Sequence, residues 1–357
     1  MEKDFLKHFK QHGKTLNGQP ATWKQLAEYF NIVNERRART LGERANGMPT
    51  PPEGFRIVRG SFTSTGGVSY SFKEEPEPVD YESVFKNLVK VIPTITVDQT
   101  PKDTTEVINI SDVHIGMSTK GGIYDLHWNL KELYARLDTI IAHTSQTNII
   151  LNMLGDYADG ERNRTASNSH YLQQNLSDAE IFEEGLRAMI YLIDGLVLKS
   201  SGTIHVNWLS NSNHPTVVDK NIGTALKLIT ELRYPSVTVS IYDAAFQIID
   251  ILGKPVIFTH GKDRKFMHRG LPRLLPDAHI NRLHTLLDYN NIKRAYLLRG
   301  DLHQFHHIQY TRITDIMTPS LCPPSGWVSV NFMSHYTGGY VRLDQDLNAR
   351  HYEFTTT

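Results

Sequence analysis

Five apolar runs of this sequence each stop at residue types that ligate metals. The stretch Glu106–His114 reads E-V-I-N-I-S-D-V-H, where Val107, Ile108 and Ile110 suit a strand buried in a sheet and Asp112 and His114 follow its end. Later runs end in Asp156 with Asp159 (G-D-Y-A-D), Asn213 with His214 (S-N-S-N-H-P), His260 (T-H-G), and Asp301 with His303 (R-G-D-L-H). Side chains two apart on an extended segment point the same way, so Asp112 and His114 are expected to leave the strand together. A carboxylate beside an imidazole suits zinc, iron or manganese. One D-x-H is weak evidence. Five consecutive runs ending this way point to a metal site, because ligands in open α/β sheets collect at the carboxyl ends of strands.

The elements that must carry these residues begin near Thr104. Strand-like runs at 148–154, 203–209, 237–242, 245–252, 254–259 and 295–298 follow the first one. Helical stretches at 130–143, 178–198, 222–232 and 279–288 lie among them, and further strands are expected at 328–332, 339–343 and 351–354. Alternation first and a strand-rich second half predict an α/β fold, a β-sandwich of two sheets flanked by helices.

The N-terminal part reads differently. Helical spacing is expected at 2–12, at 23–30 with Thr22 as N-cap, and at 34–45. Two β-rich runs then flank Ser64-Thr65-Gly66-Gly67, as in a hairpin. Three short helices and a hairpin resemble a winged helix-turn-helix, a small α+β domain. Arg36, Arg37, Arg39 and Arg44 concentrate on the expected recognition helix, and Arg56 and Arg59 on the wing, where phosphates would be met. The alternative role for this part is folding support or contact between two copies in a homodimer. The expected division is a domain at 1–73, an acidic, proline-containing linker at 74–103 (with a short helix at 81–90), and a domain at 104–357.

Composition sets the outer limits. A chain of 357 residues suits one large domain and one small one. The 38 basic and 38 acidic side chains balance, so any polyanion contact must come from a local patch. The single cysteine, Cys322, excludes an internal disulfide framework and fits a reducing compartment. There is no apolar run of about 18 residues or more, so no membrane partner is expected. The first ten residues lack the apolar core of a signal peptide. A soluble cytoplasmic protein is the expectation.

The ordered set D-V-H, G-D-Y-A-D, S-N-H, T-H-G and G-D-L-H resembles the calcineurin-like metallophosphoesterase superfamily over roughly residues 104–345. The resemblance implies two divalent ions, the first held by Asp112, His114, Asp156 and His303, the second by Asp156, Asn213, His260 and Asp301. Asp156 and a water or hydroxide would bridge them, and attack of that hydroxide would hydrolyse the phosphoester. It implies for His214 the role of general acid or transition-state stabiliser, and for Asp159 that of orienting His214. Ser212 and Pro215 depart from the usual glycine and acidic residue, and Asp301 stands where the family usually has histidine. An added carboxylate favours a harder metal, manganese before iron, zinc or magnesium.

The G-D-Y-A-D-G and S-N-H-P forms argue against the protein phosphatases and resemble the repair nucleases. With the basic N-terminal part, they predict a DNA nuclease, of a phage or mobile element, with Arg162 and Arg164 as substrate contacts. The alternatives are a phosphodiesterase or phosphatase acting on small nucleotides, and a DNA-binding adaptor with a degenerate metal site.

Overall fold

A computed structural model describes residues 15–16, 19–30, 55–62, 68–74, 104–119, 127–145, 147–165, 171–214, 217–263, 270–331 and 337–354. The chain divides into two units, Met1–Pro78 and Val79–Thr357.

In the first unit, β1 (Thr15–Leu16) and β2 (Gln19–Pro20) pair antiparallel ahead of α1 (Trp23–Tyr29). Thr22 caps α1 as its sequence suggests. Its Oγ1 accepts from Gln25 N at 3.2 Å while Gln25 Oε1 accepts from Thr22 N at 2.8 Å, which satisfies two end donors at once. Leu26 and Ala27 are buried. The expected hairpin is formed by β3 (Phe55–Phe62) and β4 (Val68–Glu74), antiparallel with a bulge between Ile57 and Arg59. Arg56 and Arg59 lie on its first strand. The expected helices at 2–12, 34–45 and 81–90, the four arginines of the second of these, and most of the linker lie outside the described residues.

The second unit begins with β5 (Thr105–Ile110), α2 (Leu130–His143), β6 (Asn148–Met153), α3 (Asp178–Lys199), β7 (Ile204–Leu209), α4 (Val218–Arg233) and β8 (Val237–Tyr242). It continues through β9 (Gln247–Ile251), β10 (Lys254–Phe258), α5 (Asp277–Tyr289), β11 (Ala295–Arg299), β12 (His306–Gln309) and β13 (Ile313–Met317). It closes with α6 (Gly326–Asn331), β14 (Gly339–Leu343) and β15 (Ala349–Glu353). One sheet has the order β15-β14-β5-β6-β7-β8, with β5 to β8 mutually parallel; the other has the order β12-β13-β11-β10-β9, with β10, β11 and β13 parallel.

Burial on both faces explains the unbroken apolar strands. Along β5, Val107 joins Leu154, Leu209, Phe258 and Leu298 between the sheets, while Ile108 and Ile110 join Leu133, Leu186 and Leu226 under the helices. A third cluster, Ile257, Leu283, Leu287 and Leu297, seats α5 on the second sheet. The layers therefore run helix, sheet, sheet, helix, as the alternation predicts.

One polar row crosses the inter-sheet core. Asn152 Nδ2 donates to Asn109 Oδ1 at 2.7 Å, Asn207 Nδ2 donates to Asn152 Oδ1 at 2.8 Å, and Tyr242 donates to Asn207 Oδ1 at 3.3 Å. The three asparagines face one another directly in the register of β5, β6 and β7. A slip of one residue would break these bonds and turn the asparagine of the slipped strand into the apolar layer under the helices, so the row holds the register.

Residues 328–331 of the stretch expected as a strand belong instead to α6, and Phe332 lies outside the described residues. The alternating V-S-V-N pattern is overridden by the helix start. Ser325 Oγ accepts from Val328 N at 3.3 Å and its carbonyl from Ser329 N at 2.9 Å. Among the described residues no helix is long and apolar enough to cross a membrane.

Candidate metal centre

The residues at the five strand ends meet. Asp112 and His114 follow β5, Asp156 and Asp159 follow β6, and Asn213 and His214 follow β7, while His260 and the Asp301–His303 pair come from β10 and β11 of the second sheet. His303 Nε2 lies 3.3 Å and His114 Nε2 3.7 Å from Asp112 Oδ1. His260 Nε2 lies 3.1 Å from Asp156 Oδ2, 3.9 Å from Asp112 Oδ1 and 4.0 Å from Asp301 Oδ1. One ligand atom each from Asp112, Asp156 and His260 falls within 4.8 Å of the others.

Strand alternation does not produce this convergence. The strand ends at Ile110, and Asp112 and His114 then take φ of 52° and 49°. Asp156, Asp301 and His303 do the same at 47°, 71° and 54°. Left-handed backbone costs an L-residue roughly 1–2 kcal/mol, and aspartate tolerates it better than most. The surrounding loops hold it: Asp112 N donates to Gly155 O at 3.1 Å, His114 N to Asp156 O at 3.0 Å and Gly300 N to His260 O at 2.9 Å. Two glycines allow the loops to close. A Cβ on Gly300 would sit 1.8 Å from Ser111 Oγ, and one on Gly155, whose φ is +92°, would sit 2.9 Å from Ser212 Cβ.

Tautomers follow from acceptors. His260 Nδ1 lies 2.7 Å from the Leu154 carbonyl and must donate to it; His114 Nδ1 donates to Asp159 Oδ1 at 3.1 Å. In the neutral ring each Nε2 then carries the lone pair, the form in which imidazole ligates. His214 Nδ1 donates to the Asp159 carbonyl at 2.8 Å, whereas the Asp159 carboxylate stands 3.5 Å away. Asp159 thus faces both imidazoles: its carbonyl aims His214, and its carboxylate lies between His114 and His214, nearer to His114.

Buried atoms here without a hydrogen-bond partner include Asp159 Oδ2 and these four: Asp112 Oδ1, His114 Nε2, Asn213 Oδ1 and His260 Nε2. A buried polar atom without a partner costs roughly 1–3 kcal/mol. These four are atoms of the two ligand sets the sequence implied, from imidazole and oxygen donors suited to divalent first-row metals. The residues fit such ions. The charge balance agrees. Burial and the neighbouring Asp112 and Asp156 raise the Asp301 carboxyl despite His260. Burial opposes the His260 imidazolium, yet Asp156 and Asp112 push that group up to about 10. Three carboxylates facing one another call for cations, and metal ions would take the place of these protons.

Three solved structures are similar to the chain. An archaeal phosphodiesterase is 10% identical over 70% of this chain and 99% of its own, with a TM-score of 0.35. Vps29 from Entamoeba histolytica, in complex with Zn2+, is 10% identical over 70% and 99%, with a TM-score of 0.32. A predicted phosphoesterase from Streptococcus pneumoniae is 12% identical over 71% and 99%, with a TM-score of 0.29. No protein-family model matches the chain, and no curated protein matches it in sequence. In layers and in ordered site residues, the chain resembles the calcineurin-like metallophosphoesterases.

Several contributors to this site carry no sequence motif. Ser212 Oγ accepts from Asp156 N at 3.0 Å, so the departure from glycine braces the central aspartate. Asp219 accepts from Tyr157 N at 3.0 Å and Ala158 N at 2.9 Å. Glu161 Oε1 accepts from Val217 N and Val218 N, both at 2.7 Å, and so seats α4. Arg162 and Arg164 are exposed on the turn past Asp159, outside the buried cluster. His306 is buried against Asp315 at 3.0 Å; His307 is exposed.

Proposed function

We propose that this chain is a metal-dependent phosphodiesterase that hydrolyses DNA. The observation that carries the hydrolase reading is the cluster of buried, unpartnered ligand atoms at converging strand ends. Two divalent ions there would supply an activated water at neutral pH and spread the developing charge of the phosphoryl group. Asp112, His114, Asp156 and His303 would hold one, and Asp156, Asn213, His260 and Asp301 the other. Asp156 is central: Oδ2 faces His260 at 3.1 Å, and Oδ1 accepts from His214 N at 3.1 Å.

His214 supplies the proton. It is half-buried, and its Nδ1–H is engaged by the Asp159 carbonyl, so Nε2 is the atom presented to substrate. Burial opposes its charged form, but the Asp156 and Asp159 carboxylates raise its pKa above the ordinary 6.5. An imidazolium there can protonate the leaving oxygen. Arg162 and Arg164 would meet flanking phosphates. The basic residues of the first unit, Arg36, Arg37, Arg39, Arg44, Arg56 and Arg59, support DNA over a small diester as substrate.

The test is incubation of the purified protein with manganese and plasmid, linear or single-stranded DNA, or a small aryl phosphodiester, beside Asp156→Asn and His214→Ala. DNA cleavage by the wild type alone is expected. Rapid turnover of the small diester with DNA untouched would contradict the nuclease reading and leave the phosphoesterase.

A further inference from the structure

We infer that Cys322 is a ligand of the first metal position, which gives the two positions unlike chemistry. The inference rests on the metal-centre reading above. Cys322 is fully buried, and its Sγ lies within 4.8 Å of a ring nitrogen of His114 and one of His303, themselves within that distance of each other. A buried cysteine often serves only as a small apolar residue, and Cys322 does touch the apolar core under the helices. Two features separate it from that role. His114 Nε2, buried and without a hydrogen-bond partner, is available to the same ion. The backbone also holds the thiol in place at several points.

The segment after β13 runs beside the end of β5. Ser111 and Ser320 form a parallel bridge, Leu321 N donates to Ser111 O at 2.8 Å, and Cys322 N donates to Asp112 O at 3.3 Å. Ser320 Oγ donates to Cys322 O at 2.8 Å. Arg136, itself buried, donates to Leu321 O at 2.6 Å. The cysteine is thus tied to the backbone of a metal ligand. Bonds of about 2.0–2.1 Å to nitrogen and about 2.3 Å to sulfur need only small side-chain shifts to bring the three atoms onto one ion.

Coordination would form a sulfur–metal bond and release the thiol proton to solvent. Thiolate and imidazole favour zinc or ferrous iron. Asp156, Asn213 and Asp301 leave the second position rich in oxygen, which suits manganese or magnesium. The centre is therefore built for two different metals, where the aspartate at 301 alone suggests manganese throughout.

The chain has one cysteine, so any thiolate–metal signal must come from Cys322. The experiment is titration of the full-length apoprotein with Co2+, followed by absorption, for wild type, Cys322→Ser and Asp156→Asn. The expected result is a thiolate-to-cobalt charge-transfer band in wild type that saturates at one equivalent and is absent from Cys322→Ser, whose weaker visible cobalt bands persist. Competition should show zinc affinity lowered about 10- to 100-fold in that variant. Cobalt bound to wild type without a charge-transfer band would overturn the proposal and spare the metal centre. No cobalt bound to wild type at all would sink both. Should Cys322→Ser not fold, the wild-type band alone decides.

Discussion

Strands β5, β6 and β7 each carry a polar residue in mid-strand and another just past the end, and the two rows differ in one respect. Asn109, Asn152 and Asn207 are buried between the sheets and bonded in series. Asp112, Asp156 and Asn213 follow on the same strands; Asp112 Oδ1 and Asn213 Oδ1 are buried and left without a hydrogen-bond partner. The first row has an extended backbone with paired amides; in the second, both aspartates have left-handed backbone. Polar burial with every amide paired holds a fold together. Polar burial with open atoms and strained backbone costs stability, and is retained where something else completes the bonding. The difference distinguishes a structural row from a site without reference to residue type.

Perturbing each row should separate the two roles. Asp156→Asn, which removes a charge at the centre of the cluster, is expected to lower phosphodiester turnover about 10³-fold or more and to reduce bound metal. Steady-state kinetics with elemental analysis checks this, and full activity would contradict the assignment.

Next in size is a paired cluster in the second sheet. Arg299 and Asp315 are both fully buried and bonded twice, at 2.9 and 2.7 Å, with Arg299 also donating to the carbonyls of Pro272 and Arg273. Asp315→Asn would leave the guanidinium uncompensated and should cost about 3–5 kcal/mol. Burial opposes ionisation of Asp315, but His306 and Arg299 hold its carboxyl below the ordinary 3.8. A depressed folded-state pKa contributes stability that is present above that value and is lost as pH falls through the lower one. Denaturant titrations should therefore show the wild-type advantage at neutral pH shrinking below about pH 4.

Asn152→Leu breaks the structural row. It strands Asn109 Oδ1 and Asn207 Nδ2, at about 1–3 kcal/mol for each group left unpaired, with the metal content of the folded protein unchanged. Loss of metal without loss of stability would reverse the proposed roles of the rows. The smallest effect is expected for Asp159→Asn, which weakens the acceptor behind His114. Metal affinity should fall about 10- to 100-fold while the fold persists, as measured by competition with a chelator.

How much of this was legible beforehand depends on range along the chain. The apolar runs, Thr22 as a cap and the order of the strand-end carboxylates and imidazoles were readable because each is a local pattern. The left-handed turns at Asp112 and Asp156 were not, because the loops they bond to belong to other strands. Ser212 looked like a loop substitution, yet it holds Asp156 N across two strand ends. Cys322 looked like a lone thiol, and only pairing with the end of β5 brings it to His114 and His303. The 328–332 segment misled because β-branched residues alternate there, while Ser325 starts a helix. The motif matched Asp159 to His214, and only the folded chain shows that its carboxylate also reaches His114.

The most direct test of the central claim is a metal count on the folded protein. Apoprotein reloaded with zinc and manganese and cleared of free metal should carry two divalent ions per chain by elemental analysis, with Asp156→Asn retaining fewer. A wild-type chain that holds no more metal than Asp156→Asn would contradict the account.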